Sequence, residues 1–308
     1  MHFLRLIRWK NLLIIAATQS LLRYAVIHPM LGKAGMDSYF SDIQFAILVI
    51  STILVAAGGY VINDLFDQET DRMNKQGNVV IGKIISPDSA WRIYFIINAV
   101  ALAGTLYTSI VIGRLLTGLL LYFSSVSGLY LYSMRMKGSV LAGNLMISGF
   151  SALVLLIVWL AEFLALTQYI IVIDNRHITE ISLITLAYSV FAFLVSLQRE
   201  IVKDAQDVEG DKAAGLVTFC IVYGLSGARK LTVLLSAITM LLLTIGQIAL
   251  YNLGFTILAF WYLLVQGLLI YFVFSVLRTT NPADFKMPSM VAKVIMVAGI
   301  LGMQLFLL

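Results

Sequence analysis

The chain has 308 residues, 60% of them hydrophobic and only 12% charged. A soluble domain averages about 25% charged residues, so this composition excludes an ordinary soluble fold and describes an integral membrane protein. The net charge of +5 comes from basic residues placed between apolar runs, which reads as membrane topology and not as a nucleic-acid surface.

Arg5, Arg8 and Lys10 precede the first apolar run. The pattern looks like a secretory signal, but no small-residue cleavage site follows, so the run at 12–31 is expected to remain as a first transmembrane helix. A crossing helix needs about 20 mainly apolar residues. Eight further runs qualify: 43–62, 91–112, 115–132, 140–163, 179–197, 231–250, 254–276 and 289–308. The fourth is short. The 161–173 region, with LALTQYIIVID, either extends the fifth span or forms an extra half-helix. Pro282 and Pro288 mark the linker before the last span. The expected fold is all-α and polytopic, with nine transmembrane helices in a single domain over 1–308.

With the N-terminus in the cytoplasm, all the basic residues except Arg23, Lys33, Arg114 and Arg176 fall on the cytoplasmic side. This asymmetry supports both the count and the orientation in a cell membrane. The lone Cys220 excludes an intramolecular disulfide and argues against a Cys-based metal site. His2, His28 and His177 are scattered and lie at no ligand spacing.

The second and sixth spans end in the same acidic pattern. Asp64, Asp67 and Asp71 stand in NDLFDQETD, and Asp204, Asp207 and Asp211 in KDAQDVEGD. Both read D-x-x-D-x-x-x-D. With Glu69, Glu200 and Glu209, these stretches hold most of the 16 acids of the chain. Positions i, i+3 and i+7 share one helix face, so each segment can aim three carboxylates at one place. Packed like charges call for a cation, and hard oxygen ligands suit Mg²⁺ together with substrate phosphates. Each pattern opens a long polar stretch, 63–90 and 198–230, on the cytoplasmic side. Long connections in compact proteins are often functional. Two such triads at a bundle mouth would clamp a diphosphate through metal ions, with Lys75, Lys137, Arg199 and Lys203 available for the remaining phosphate oxygens. An apolar bundle below suits a hydrocarbon tail. An allylic prenyl diphosphate has both parts.

At these residues the sequence resembles the UbiA superfamily of intramembrane prenyltransferases, which has nine transmembrane helices around a central cavity and two Asp-rich cytoplasmic loops. The family's N-D-x-x-D-x-x-x-D is met by Asn63, Asp64, Asp67 and Asp71, and its D-x-x-D-x-x-G-D by Asp204, Asp207, Gly210 and Asp211. The resemblance implies that the six aspartates ligate Mg²⁺ and the prenyl diphosphate and serve as the catalytic set. It places Asn11, in Arg8-Trp9-Lys10-Asn11, at the site, together with Tyr132 and Lys137 in YSMRMK and Asn144 in LAGN. The stretch REIVKDAQDVEGDKAAG is most similar to the group that makes digeranylgeranylglyceryl phosphate, with Arg199, Glu200 and Lys203 in its signature. That group transfers geranylgeranyl to a hydroxyl of a prenylated glycerol phosphate. One departure follows Asp71, where the family reads D-R-x-N-x-P-x-R-P. Arg72 and Asn74 are kept, but Gln76, Asn78 and Val79 replace proline, arginine and proline. Lys75 or Lys83 would then have to supply the missing cation.

The implied partners are a prenyl diphosphate donor, a lipid or aromatic acceptor and membrane lipids, without nucleic acid. One alternative is an aromatic, quinone-precursor prenyltransferase of the same fold. The other is a secondary transporter. Transporter sites usually sit near the bilayer midplane, whereas here the acids cluster at helix ends; Glu162 is the one acid expected within a span, near its outer end.

Overall fold

The computed structural model of the chain describes residues 2–68, 80–169 and 176–308. Among these, every regular element is a helix, and the one β-type pairing is an isolated bridge between Ile81 and Ile85. Nine of the described helices are long and apolar enough to cross a membrane: α1 (Trp9–Lys33), α2 (Asp42–Phe66), α3 (Pro87–Val111), α4 (Leu115–Met136), α5 (Ala142–Gln168), α6 (Arg176–Ala213), α7 (Phe219–Asn252), α8 (Thr256–Leu277) and α9 (Pro282–Leu307). They match the nine expected spans. Large apolar side chains such as Ile43, Phe95 and Leu116 point outward, as lipid-facing positions do. The LALTQYIIVID region continues α5 as helix through Tyr169; residues 170–175 lie outside the described part.

The helices group into two compact units. The first comprises Met1–Ser20, Met36–Lys137 and Ile157–Asn175. Its core joins Leu6 of a short N-terminal helix (His2–Leu6) to Val61, Ile62 and Leu65 of α2 and to Ala90 and Tyr94 of α3. The N-termini of α2 and α3 are capped. Ser41 and Gln44 form a reciprocal capping box on α2, and Ser86 caps α3 with Pro87 at its first turn. Helices α2 and α3 approach closely through small residues, the usual device where no hydrophobic driving force acts between helices in lipid. A Cβ on Gly104 would lie 2.2 Å from Ser51 Oγ, and one on Gly58 would lie 2.7 Å from Asn98 Nδ2. Gly104→Ala should therefore cost about 1–3 kcal/mol of overpacking, because Ser51 Oγ is held by its bond to the Ile47 carbonyl at 2.8 Å. Thermal unfolding in detergent checks this: the midpoint should fall by a few degrees and recover in Gly104→Ala/Ser51→Ala. No drop would show that the two helices part freely at this level. Elsewhere in the unit, Glu162 is fully buried and accepts a hydrogen bond from Ser38 Oγ at 2.7 Å.

The second unit comprises Leu21–Gly35, Gly138–Leu156 and Arg176–Leu308. Its spine is α6, whose 38 residues measure about 57 Å against a hydrocarbon core of about 30 Å. The helix therefore continues well past its apolar part. This corrects the expectation of a long polar connection over 198–230: the chain stays helical to Ala213, and α7 begins at Phe219. Polarity here marks the end of the apolar stretch, not of the helix. Lys, Glu, Gln and Ala are good helix formers and satisfy their own backbone. The α6 helix stops at Gly215, in the left-handed region at φ +71, with Leu216 N–H closing onto the Asp211 carbonyl at 3.0 Å. This is the glycine-dependent terminus expected of such a cap. A second left-handed glycine, Gly224, breaks α7 after its first residues. Inside the unit several buried polar groups pair: Gln198 with Ser236 and Thr239, and Tyr262 with Tyr188.

Candidate active site

In the first unit the acidic pattern begins on the last turn of α2. Tyr60, Asn63, Asp64 and Asp67 fall at i, i+3, i+4 and i+7, so one helix face carries them all. Asp67 terminates the helix, its N–H bonded to the Asn63 carbonyl at 3.0 Å. Two carboxylates at a helix C-terminus sit against the negative end of the dipole, so they need cations. The fold supplies two. Arg8 Nη2 donates to Asp64 Oδ1 at 3.1 Å, and Lys137 Nζ is ion-paired with Asp67 Oδ2. Asn63 Nδ2 donates to the same Asp67 oxygen at 2.7 Å, and Asp67 is buried.

Both cations are positioned by unusual backbone. Arg8 is the one non-glycine residue at positive φ (+50) among the described residues. It separates the short N-terminal helix from α1 and turns its guanidinium over the Tyr60 ring, 4.8 Å from the centroid. Tyr60 Oη also accepts from Asn11 Nδ2 at 3.1 Å, so Arg8 and Asn11 grip one ring. Lys137 comes directly after a π-helical turn, Tyr132–Met136, and its N–H reaches the Tyr132 carbonyl at 2.9 Å. Such turns recur at functional sites because the extra residue re-aims the next side chains.

In the second unit Asp204, Asp207 and Asp211 share one face of the extended α6. Asn144 Nδ2, buried near the start of α5, donates to Asp204 Oδ2 at 2.7 Å. The Asn144 carbonyl in turn accepts from Ser148 Oγ at 2.6 Å. Arg199 is ion-paired with Glu200. Asp207 is exposed and Lys203 half-buried. The turn after α6 is tied back to Gly138, whose carbonyl accepts from Val217 N–H at 2.9 Å.

The sequence-predicted residues thus assemble in two groups: Asn11, Asn63, Asp64, Asp67 and Lys137 in one unit, and Asn144, Arg199, Lys203, Asp204, Asp207 and Asp211 in the other. Tyr132 contributes its carbonyl to the turn that sets Lys137. Asp71, Arg72 and Lys75, with the departure at Gln76, Asn78 and Val79, lie outside the described residues. Sequence reasoning passed over Arg8 and Tyr60. Arg8 stands in the same quartet as Asn11, and Tyr60 lies one helical turn before Asn63, so both signals were present.

The donor chemistry bears on the implied metal. Amides and cations among the described residues are hydrogen-bonded or ion-paired to Asp64, Asp67 and Asp204. Among the described residues no three His, Cys, Asp or Glu groups form a ready metal cage. Hard oxygen donors are the ligand type that Mg²⁺ takes, together with phosphate and water. Polar or charged partners orient Asp64, Asp67 and Asp204.

The UbiA prenyltransferase family model matches residues 30–293. The digeranylgeranylglyceryl phosphate synthase of Hyperthermus butylicus is 31% identical over 260 residues, covering 83% of this chain and 79% of that protein. The synthase of the same name from Thermococcus sibiricus is 27% identical over 289 residues, covering 91% and 90%. Among solved structures, a digeranylgeranylglyceryl phosphate synthase aligns with TM-score 0.66 at 24% identity, over 98% of this chain and 96% of that one. A UbiA homologue from Archaeoglobus fulgidus bound to DMAPP and Mg²⁺ aligns with TM-score 0.56 at 21% identity, over 98% and 99%. At these identities the structural matches speak for the fold.

Proposed function

The chain belongs to the UbiA prenyltransferase family, and from that premise we propose that it transfers a geranylgeranyl group from its allylic diphosphate to a hydroxyl of a prenylated glycerol phosphate, with Mg²⁺. It is a multi-pass membrane prenyltransferase; the finer reading concerns donor, acceptor, metal and site. The observation that carries it is the pair of aspartate groups at the ends of α2 and α6, each held by polar partners at the edge of an apolar helix. The names of the curated relatives support the acceptor class. We take the two compact units as halves of one domain, with both aspartate ends on the cytoplasmic side, as the distribution of basic residues supports.

Mg²⁺, when bound, stabilises charge developing on the departing diphosphate. In the first unit Asp64 and Asp67 would hold such an ion, with Asp71 completing that triad by sequence; in the second unit Asp204, Asp207 and Asp211 would hold one. Asn63 and Asn144 fix the orientation of Asp67 and Asp204, so little reorganisation is needed when ligands arrive. Arg8 and Lys137, which balance Asp64 and Asp67 without substrate, are placed to turn to phosphate oxygens once the carboxylates are engaged. Arg199 and Lys203 are assigned to the acceptor's phosphate, Lys203 directly and Arg199 once Glu200 shares it. The allylic C–O bond breaks and the pair goes to diphosphate. The acceptor oxygen bonds to the allylic carbon and its proton passes to the departed diphosphate or to water.

The test is transfer of radiolabelled geranylgeranyl from its diphosphate by purified protein in detergent, with Mg²⁺ or with chelator. Prenylated glycerol phosphate and hydroxybenzoate are offered separately. Product with the glycerol phosphate, abolished by chelation, is expected. Product with hydroxybenzoate alone would move the chain to the aromatic group. No product and no Mg²⁺-dependent binding of the diphosphate would overturn the proposed donor and metal.

A further inference from the structure

A groove of about 560 Å³ lies in the second unit where α8 ends and α9 begins. It is far along the chain from every residue assigned above, and its walls have a clear origin. On α8, Tyr271, Phe274 and Arg278 fall at i, i+3 and i+7, one helix face. On α9, Lys286, Met287 and Met290 complete the lining. The four apolar members are all exposed. The connection between the helices is built firmly. Arg229 of α7 donates to the Thr279 carbonyl at 2.9 Å, and Phe285 and Thr279 are buried beneath.

The charge of the groove is one-sided. Asp284 is the one acid in its lining, and one of its oxygens is engaged by the turn. Asp284 Oδ2 accepts from Thr280 N at 2.8 Å, Thr280 Oγ1 at 3.1 Å and Asn281 N at 2.9 Å. Arg278 stacks on Phe274, 3.9 Å from the ring centroid, which holds the guanidinium at the apolar edge. Among the described residues neither Arg278 nor Lys286 has an ion pair. Plain lipid contact explains the apolar walls, and plain topology explains a cation near a helix end. Neither explains two cations, without an ion pair among the described residues, at an aromatic- and methionine-lined groove whose one acid is drawn toward its own turn.

We infer that this groove binds a phosphate-headed membrane lipid, with the phosphate on Arg278 and Lys286 and a chain along Tyr271, Phe274, Met287 and Met290. Basic pockets between transmembrane helices at the membrane surface are suited to anionic headgroups, and a phosphate monoester matches two cations. The inference does not depend on the transfer reaction.

The experiment is native mass spectrometry on the delipidated full chain in detergent, titrated with dioleoyl phosphatidic acid or dioleoyl phosphatidylcholine. Phosphatidic acid should bind in preference to phosphatidylcholine. Arg278→Gln/Lys286→Gln should weaken phosphatidic acid by about tenfold or more, because charge-assisted contacts are lost, and leave phosphatidylcholine unchanged. Met290→Trp, which fills the groove and keeps both cations, should weaken phosphatidic acid too, and it decides the matter if the double variant fails to fold. Equal binding of the two lipids, or phosphatidic acid binding unchanged in the variants, overturns the inference. So does displacement of phosphatidic acid by an equal concentration of inorganic phosphate, which would make this a simple anion site.

Discussion

Replacing Asp204 with Asn is expected to leave the protein folded and to lower prenyl transfer by two to three orders of magnitude. The substitution keeps an oxygen to accept from Asn144 Nδ2, now at 2.7 Å, and removes only the charge. Loss of one preorganised electrostatic group costs about 2.7–4 kcal/mol in the transition state, which sets the size of the effect. The Mg²⁺ concentration for half-maximal rate should rise as well. Asp204→Ala separates the two contributions. It strands the buried Asn144 amide, costing about 1–3 kcal/mol, so it should lower the melting midpoint in addition to the rate. Asp64→Asn should match Asp204→Asn in activity. Its partner Arg8 is more than a third exposed, so its stability should barely move. Full activity in both Asn variants, with melting unchanged, would remove the aspartates from the mechanism.

How legible the fold and the site were in the sequence varies with the physics of each part. The nine spans were readable because a run of about 20 apolar residues is a requirement of the bilayer, independent of how helices pack. The aspartate faces were readable because helical spacing alone puts i, i+3 and i+7 together. The course of the chain past Leu197 was not. There the same charged residues that end the apolar stretch also sustain a helix, and hydropathy cannot tell one event from the other. The break at Arg8 was hidden for another reason. Chain reversals into positive φ are usually flagged by glycine, and here arginine adopts it, held by Asp64 and Tyr60 from a helix some fifty positions away. The π turn before Lys137 likewise has no sequence mark; resemblance to the family pointed to Lys137, and only the structure gave it Asp67 as partner.

That pairing allows a structural role for Lys137 to be separated from a functional one. In Lys137→Met, the buried Asp67 keeps its charge at a helix C-terminus with Asn63 as the remaining side-chain partner. Removing one member of a buried pair costs about 3–5 kcal/mol; the lysine is partly exposed, so a smaller loss is expected, visible as a lower melting midpoint. Transfer should fall by one to two orders of magnitude, mainly through the KM for the prenyl diphosphate if Lys137 also meets phosphate. Asp67→Asn in the same chain removes the stranded charge. The double variant Lys137→Met/Asp67→Asn should therefore recover most of the midpoint. If the pair were structural only, transfer would recover with it. If Asp67 binds metal and Lys137 binds phosphate, the double variant melts like the parent and still transfers at least about a hundredfold more slowly. Coupling between contacting residues is what a double-mutant cycle isolates, and here stability and rate should couple with opposite outcomes. On the proposed mechanism the site needs Asp67 charged, while the fold needs only that its charge not stand alone.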